Sequence, residues 1–376
     1  METSIAVITG CFTDVEDPRI DRRKRHKLID IIVIAICAVI CGADGWVAIE
    51  KFGKAKRSWL KRFLELPNGI PSHDTFGRVF ARLDPEQFRA AFLRWVRAVF
   101  EVTDKQVIAI DGKQLRRSHD KVLGKEAIQM VSAWAEANRL VLGQTKVEES
   151  SNEITAIPQL LQILDVAGCL VTIDAIGCQK EIAEMIVDKG GDYLLAVKRN
   201  QRQLYEDIVS LFEEARSVAF RHVDHDHYQS VNKGHGRIEI RRCWTITDPI
   251  YLDYLRDLKW KKLRTIVKVV GERRIGDKTT VKTRYYISSA EGSAKTFLRA
   301  ARRHWSIENC HNWVLDVAFQ EDNSRVRKGN AAQNLAVLRQ IALNLLSQEK
   351  TARCGTKTKR LMAAWDESYL LKVLGV

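Results

Sequence analysis

Two short apolar runs, "VIAI" ending at Ile110 and "LVTI" ending at Ile173, are each followed directly by an aspartate, Asp111 and Asp174. No other feature constrains the fold as much. Runs of this length, rich in β-branched residues, belong in a buried sheet. An ionised carboxylate at the end of such a strand is costly unless it is paired or bound to a cation. If the two strands are parallel neighbours, both carboxylates emerge at the same end of the sheet, where α/β sheets place their sites. Each aspartate reads equally well as a turn cap, since "DG" after Ile110 is a frequent turn. The residues alone leave both readings open.

The surrounding pattern predicts which sheet this is. "KQVIAIDGKQL" is a strand ending in a turn, and "AIQMVSAWAEANRLVLGQTKVEE" reads as two strands turning at Asn138. "IPQLLQILDVAG" is a helix with Pro158 near its start, "CLVTIDAIG" a strand, "QKEIAEMIVDKGG" a helix closed by glycine, and "DYLLAVK" a fifth strand. Three strands, a helix, a strand, a helix and a strand give a mixed α/β sheet, in the order used by ribonuclease-H-like domains. We place the first part of this domain at 104–216 and its helical completion at 290–349. Between them, 217–289 is rich in β-formers and reads as a small antiparallel sheet inserted into the domain. Residues 350–376 read as a loose basic tail followed by a helix.

Residues 1–103 read as an all-helical domain. Ser72 and Asp84 stand as caps for two of its helices, with Pro85 opening the second. The basic cluster Arg22, Arg23, Lys24 and Arg25 lies upstream, so helix-turn-helix DNA binding and a plain bundle with a solvated basic edge both fit. "RRKRHKLIDIIVIAICAVICGADGW" imitates a signal peptide or membrane anchor. Its apolar stretch, Ile31 to Ala43, is only thirteen residues, whereas a bilayer span needs about twenty. A buried helix and no membrane partner are expected.

The net charge of +14 favours a polyanionic partner, because each phosphate neutralised releases counterions. The eight cysteines are scattered without a CxxC pair, which suits reduced thiols in a cytoplasmic protein rather than a zinc ribbon or disulfide framework. No GxxxxGK[ST] is present, so nucleotide hydrolysis is not expected. "HVDHDH" lacks a completed ligand set and reads as an exposed polar strand or loop.

"RRHWSIENCHNWVLDVAFQED", residues 302–322, can supply a third carboxylate. On an α-helical wheel Glu308 shares a polar front with His304, His311 and Asn312. Ile307, Trp313, Val314 and Val317 fall on the back, and Leu315 falls anomalously on the front. Asp316 is turned away from Glu308, and Glu321 and Asp322 lie beyond the helix end. Two strand acids and one helix acid can hold two divalent cations about 4 Å apart, which suits phosphodiester chemistry. All-oxygen ligation favours Mg²⁺, with Mn²⁺ as a substitute.

At these residues the chain resembles a known family. "IAIDGKQLRRS", "SNEITAIPQLL", "TIDAIGCQKEIAEMIVDKGGDYLLAVKRNQ", "KGHGRIEIR", "RYYISSA" and "HWSIENCHNWVLDVAFQEDNSRVRKGNAAQNLAVLRQIALNLL" are similar to the ISAs1 group of bacterial insertion-sequence transposases, which includes the H-repeat-associated proteins. The N-terminal "HKLIDIIVIAICAVICGADGW" and "GIPSHDTFGRVF" resemble that group's associated helical domain.

The resemblance implies a DDE transposase of ribonuclease-H-like fold, with catalytic, metal-binding acids at Asp111, Asp174 and Glu308. It implies Mg²⁺-dependent cleavage at element ends and strand transfer into target DNA, by a cut-and-paste route. The partners implied are the terminal inverted repeats, target DNA and a second subunit, since assembly on paired ends needs at least a dimer. The setting implied is the bacterial cytoplasm, on the nucleoid. Related transposases carry a tyrosine and an arginine before the catalytic glutamate and a lysine after it. Here those positions hold Ala301, His304 and Leu315.

Phosphate contacts then fall to Arg302, Arg303, His304, Arg325 and Arg327, with Lys113, Lys198, Arg237 and Arg241 as further candidates beside Arg22, Arg23, Lys24 and Arg25. Arg237, Glu239 and Arg241 share one strand face. Trp244 is read as core rather than base-stacking, and Glu153 as a helix cap rather than the rim of the site. A catalytically silent DNA-binding relic acting as a regulator, and a ribonuclease-H-like nuclease without strand transfer, are the alternative functions.

Overall fold

A computed structural model describes residues 4–99, 106–119, 126–148, 151–234 and 236–375. The amino-terminal part is helical: α1 (Ser4–Phe12), α2 (Leu28–Ile40), α3 (Trp46–Ala55), α4 (Arg57–Leu60), α5 (His73–Arg82) and α6 (Pro85–Val99). Ser72 caps α5 by accepting from the Thr75 amide, and Asp84 caps α6 by accepting from the amides of Glu86 and Gln87. Helix α2 is apolar all round and is buried from Asp30 to Ile40, as a helix in the middle of a core must be. Asp30, within it, accepts the Leu66 amide at 3.0 Å. No helix among the described residues is long and apolar enough to cross a membrane.

The sheet follows: β1 (Val107–Gln114), β2 (Gln129–Ala135), β3 (Leu140–Lys146), then α7 (Glu153–Ile163), β4 (Leu170–Ile173), α8 (Lys180–Asp188), β5 (Asp192–Val197) and α9 (Arg202–Ser217). Strands β1, β2 and β3 form an antiparallel meander, whereas β4 and β5 run parallel to β1. Strand β1 runs on through Asp111 to Gln114, paired with β2, so the turn suggested by Asp111-Gly112 does not form. The pairing of Ile110 with Ile173 sets Asp111 beside Asp174, the first residue after β4.

The β-rich insertion, β6 (His225–Gly234), β7 (Arg237–Ile246), α10 (Pro249–Asp253), β8 (Thr265–Ile275) and β9 (Lys278–Ser288), differs from the expectation of a separate small sheet. Strand β9 pairs with β5, producing one nine-stranded sheet in the order β3-β2-β1-β4-β5-β9-β8-β7-β6. The reason is that β5 would otherwise be an open edge, with unpaired amides and carbonyls available to any partner strand.

Helix α11 (Ala294–His304) packs on the insertion and β1. It continues into a π-helical turn, Ile307–Asn312, and then α12 (Trp313–Ala318). Helices α13 (Ala331–Gln348), α14 (Thr356–Trp365) and α15 (Glu367–Val373) close the molecule. Helix α13 is buried along almost its whole length and packs against α2, α5, α6 and β3. One hydrophobic cluster therefore runs from Ile5 through the sheet to Leu374.

The carboxy-terminal stretch is not a loose basic tail. Lys359 and Arg360 are buried. The Lys359 ammonium donates to the Leu346 carbonyl and lies 3.3 Å from Glu349, while the Arg360 guanidinium donates to the Val39 carbonyl and Asp44. Those charges are directed inward, capping helix ends, so they are unavailable to a polyanion.

A candidate metal and nucleic-acid site

Asp111, Asp174 and Glu308 are brought to one end of the sheet, and a fourth acid joins them. The Asn152 side chain accepts the Ile154 amide and caps α7. This frees Glu153 from the capping role the sequence suggested. Its carboxylate instead lies over Gly112, where an added Cβ would sit 2.0 Å from Oε1. Gln129 Nε2 donates to Glu153 Oε1 at 2.5 Å. The signal for this acid was the glycine beside Asp111, which leaves room for it.

Burial first, and then the negative charges of Glu153, Glu308 and Asp174, push the Asp111 carboxyl up to about 7. Glu153 is also raised, by burial and by Asp174, against the opposing hydrogen bond from Gln129. Carboxylates that raise one another this way form a site that gains by taking up positive charge. Asp174 Oδ1 accepts the Ile176 amide at 3.0 Å, which fixes the loop that follows β4.

The expected helical wheel around Glu308 needs correction. Trp313 and Val317, assigned to the apolar back, are 60% and 39% exposed, whereas Leu315, assigned to the polar front, is 1% exposed. The cause is the π-turn at Ile307–Asn312. It closes i→i+5 hydrogen bonds, turns less per residue than an α-helix, and rotates everything after it. Glu308 itself remains exposed at the site, but His311 swings into the core.

Burial holds His311 below the usual imidazole value, against its hydrogen bonds with Gln340 and Asn312, which raise it. Its Nδ1 is 2.8 Å from Asn312 Oδ1, and its Nε2 is 2.9 Å from Gln340 Oε1. Asn312 Nδ2 in turn donates to Asp111 Oδ2 at 3.1 Å. The turn that carries Glu308 is thereby tied to Asp111.

The cationic candidates divide by environment. Lys113 does not face a phosphate. Its ammonium donates to Asp316 Oδ1 at 2.5 Å and Glu321 Oε2 at 2.6 Å, with only 12% of its side chain exposed. This also gives Asp316 and Glu321 their place: through Lys113 they hold β1 to α12 and the turn after it. His304 faces inward beside Asp174, with Nδ1 3.1 Å from Thr172 Oγ1, and burial lowers its pKa. Arg303 lies 3.2 Å from Glu136.

Arg237 and Arg241 do share a face of β7, but Glu239 stands between them and pairs with both. Arg22, Lys24, Arg25, Lys198, Arg302 and Arg325 are exposed, and Arg327 donates to the Arg117 carbonyl. The Arg23 side chain lies outside the described residues. Trp244 is half-buried, packed against the edge of the hydrophobic core and against the His227 ring.

Among the described residues no three ligand side chains close on a single point as a preformed metal cage. The donors still fit a hard cation, because Mg²⁺ retains waters and takes only one or two carboxylates from the protein, leaving positions for substrate phosphate oxygens.

Replacing Gly112 by alanine tests the fourth acid. The new Cβ must displace the Glu153 carboxylate, a flexible end, so we expect stability within about 1 kcal/mol of wild type and loss of Mn²⁺ affinity by titration calorimetry. Unchanged Mn²⁺ affinity would remove Glu153 from the site.

Comparison with known proteins gives the family. A family profile described as "Transposase DDE domain" matches residues 102–345, and one described as "DDE_Tnp_1-associated" matches residues 9–96. The "H repeat-associated putative transposase YhhI" of Escherichia coli (strain K12) is 43% identical over 369 residues, covering 96% of this chain and 95% of its own. An "Uncharacterized protein in dhlA 3'region" of Xanthobacter autotrophicus is 45% identical over 282 residues, 74% of this chain and 92% of its own. A mixed α/β sheet carrying clustered acids at one end, a helical amino-terminal part and these matches lead to one conclusion: the chain belongs to the DDE transposase family, alongside the H-repeat-associated proteins.

Proposed function

We propose that this chain is a metal-dependent DNA transposase of ribonuclease-H-like fold that cleaves at the ends of its element and joins them to target DNA. The observation that carries this reading is the convergence of Asp111, Asp174 and Glu308 at one sheet end, with Asp111 pushed up to about 7 by burial first and then by its acidic neighbours. Asp111, Asp174 and Glu308 would hold two Mg²⁺ ions. When bound, such ions polarise the scissile phosphate and lower the pKa of an attacking water. The chain's own share is positional. Asn312 steadies Asp111, the capped loop steadies Asp174, and the π-turn presents Glu308 to solvent.

Exposed Lys198, Arg302 and Arg325 flank the acids or the loop after α12 and suit backbone phosphates. The amino-terminal helices would recognise the ends, with Arg22, Lys24 and Arg25 outward, and two copies would pair them. Water attack frees a 3′-OH, which then attacks a target phosphodiester in a second in-line displacement.

With end-containing DNA and Mg²⁺, Asp174→Ala is expected to abolish cleavage while electrophoretic mobility shifts show near-normal DNA binding. Equal cleavage by the variant would sink the triad. A wild-type protein that binds ends yet never cuts would instead support a regulatory relic.

A further inference from the structure

A cavity of about 430 Å³ opens immediately beside the acidic site, lined by Val197, Lys198, Arg199, Tyr205, Arg284 and Tyr285 among others. Three of these are cations and none is an acid. Lys198 and Arg199 have no carboxylate partner among the described residues, although paired charges are common elsewhere on this surface.

Its position is fixed by the sheet. Strand β5 runs parallel to β4 with Leu195 opposite Ile173, so the residues leaving β5 stand at the same end as Asp174. The segment after Lys198 is bound to the Asp174 loop: Asn200 Nδ2 donates to the Ala175 carbonyl at 2.6 Å and Gln201 Nε2 to the Cys178 carbonyl at 2.8 Å. The other wall is β9, whose Tyr285 pairs with Val197. Arg284 stacks on the Trp305 ring at 5.1 Å, three residues before Glu308. Tyr205 and Tyr285 meet edge to face at 5.6 Å and provide an aromatic wall.

We infer that this cavity binds one nucleotide unit of a DNA strand next to the scissile bond. Lys198, Arg199 and Arg284 hold its phosphate, and Tyr205 lies against its sugar or base. The inference rests on the reading of the acids as a DNA-cutting site. The chemistry selects the ligand. A concave site of this size is too small for a duplex, three cations and no acid in its lining favour an anion, and guanidinium groups take phosphate oxygens in pairs. Aromatic faces beside a cationic groove are the usual means of holding a single strand without reading its sequence. The bonds from Asn200 and Gln201 mean that a filled cavity bears directly on the loop holding Asp174.

The test uses the full-length protein without divalent cation, so that nothing is cut. A fluorescent 5′-phosphorylated trinucleotide is titrated by anisotropy. Arg199→Glu and the Lys198→Ala/Arg284→Ala double variant are each expected to weaken binding about tenfold or more. Each should also flatten the salt dependence by roughly 0.7 per cation lost, and Tyr205→Leu should weaken binding with the salt slope unchanged. Unaltered trinucleotide affinity in both charge variants would overturn the proposal, as would full competition by inorganic phosphate at equal concentration.

Mg²⁺-dependent cleavage of end-containing duplex, assayed on the same preparations, separates this proposal from the catalytic reading. Wild type that cuts while the variants bind the trinucleotide normally removes only the cavity. Charge variants that lose the trinucleotide while wild type never cuts retain the cavity and remove the catalysis.

Discussion

Asp111→Asn is expected to melt above wild type at pH 8 in the absence of metal, and to cut no DNA. The Asp111 carboxyl titrates near 7 in the folded chain because burial and three neighbouring acids disfavour its charge, whereas an unfolded aspartate titrates near 3.9. Below about pH 4 both states are protonated and the group contributes nothing. Between about 4 and 7 the folded state holds the proton more tightly, so metal-free stability falls as pH rises, and above 7 the full penalty remains. Asparagine removes that penalty while keeping an oxygen for the Asn312 amide. A gain of about 2–3 kcal/mol at pH 8, shrinking towards zero by pH 4, is expected from calorimetry at several pH values. Cleavage should fall by at least about a thousandfold, because the lost carboxylate acts directly on the reacting centre. A variant that melts lower than wild type at pH 8 would show that the acids are not in mutual repulsion.

Lys113→Met should have the opposite consequence. Glu321 is buried. Burial alone would raise its pKa, but Lys113 and Arg339 together hold it below the usual glutamate range. Its Oε2 is 2.6 Å from Lys113, and Oε1 is 3.5 Å from the equally buried Arg339. Removing one partner of a buried ion network leaves charge without compensation, which costs about 3–5 kcal/mol. Urea denaturation should show that loss. Because Lys113 joins β1 to Asp316 and Glu321, the helix carrying Asp316 should loosen, and the proposed cleavage should fall with stability. The salt dependence of DNA binding by the folded fraction should not change, since this ammonium meets carboxylates rather than phosphates. A normal melting curve with a flattened salt slope would return Lys113 to the DNA surface.

What was legible in the sequence follows from local pattern. The strands before Asp111 and Asp174 and the buried helix α2 were readable because apolar runs and their length are local properties, whereas the parallel pairing of those strands entered only as a condition and comes from the structure. Glu308 was singled out on an α-helical wheel that the π-turn then invalidated for Trp313, Leu315 and Val317. A single-turn change of winding leaves no periodic trace in so short a segment. Lys113 and Glu153 were misread for another reason. Their partners lie 203 and 24 residues away, and no local pattern reports a distant carboxylate or amide. The joining of β9 to β5 and the burial of Lys359 and Arg360 belong to the same class. A β-rich or basic composition describes a segment and says nothing about which edge or helix end receives it.

If Asp111, Asp174 and Glu308 together join DNA ends, a strand-transfer assay reads that chemistry out. Ends supplied already cut, with a free 3′-OH, are incubated with a plasmid target and Mg²⁺, and the joined product is quantified. Wild type is expected to give joined product and Glu308→Gln none, with both proteins retaining the end DNA equally. Joining by Glu308→Gln at the wild-type level, or a wild type that cuts ends but never joins them, would contradict the account.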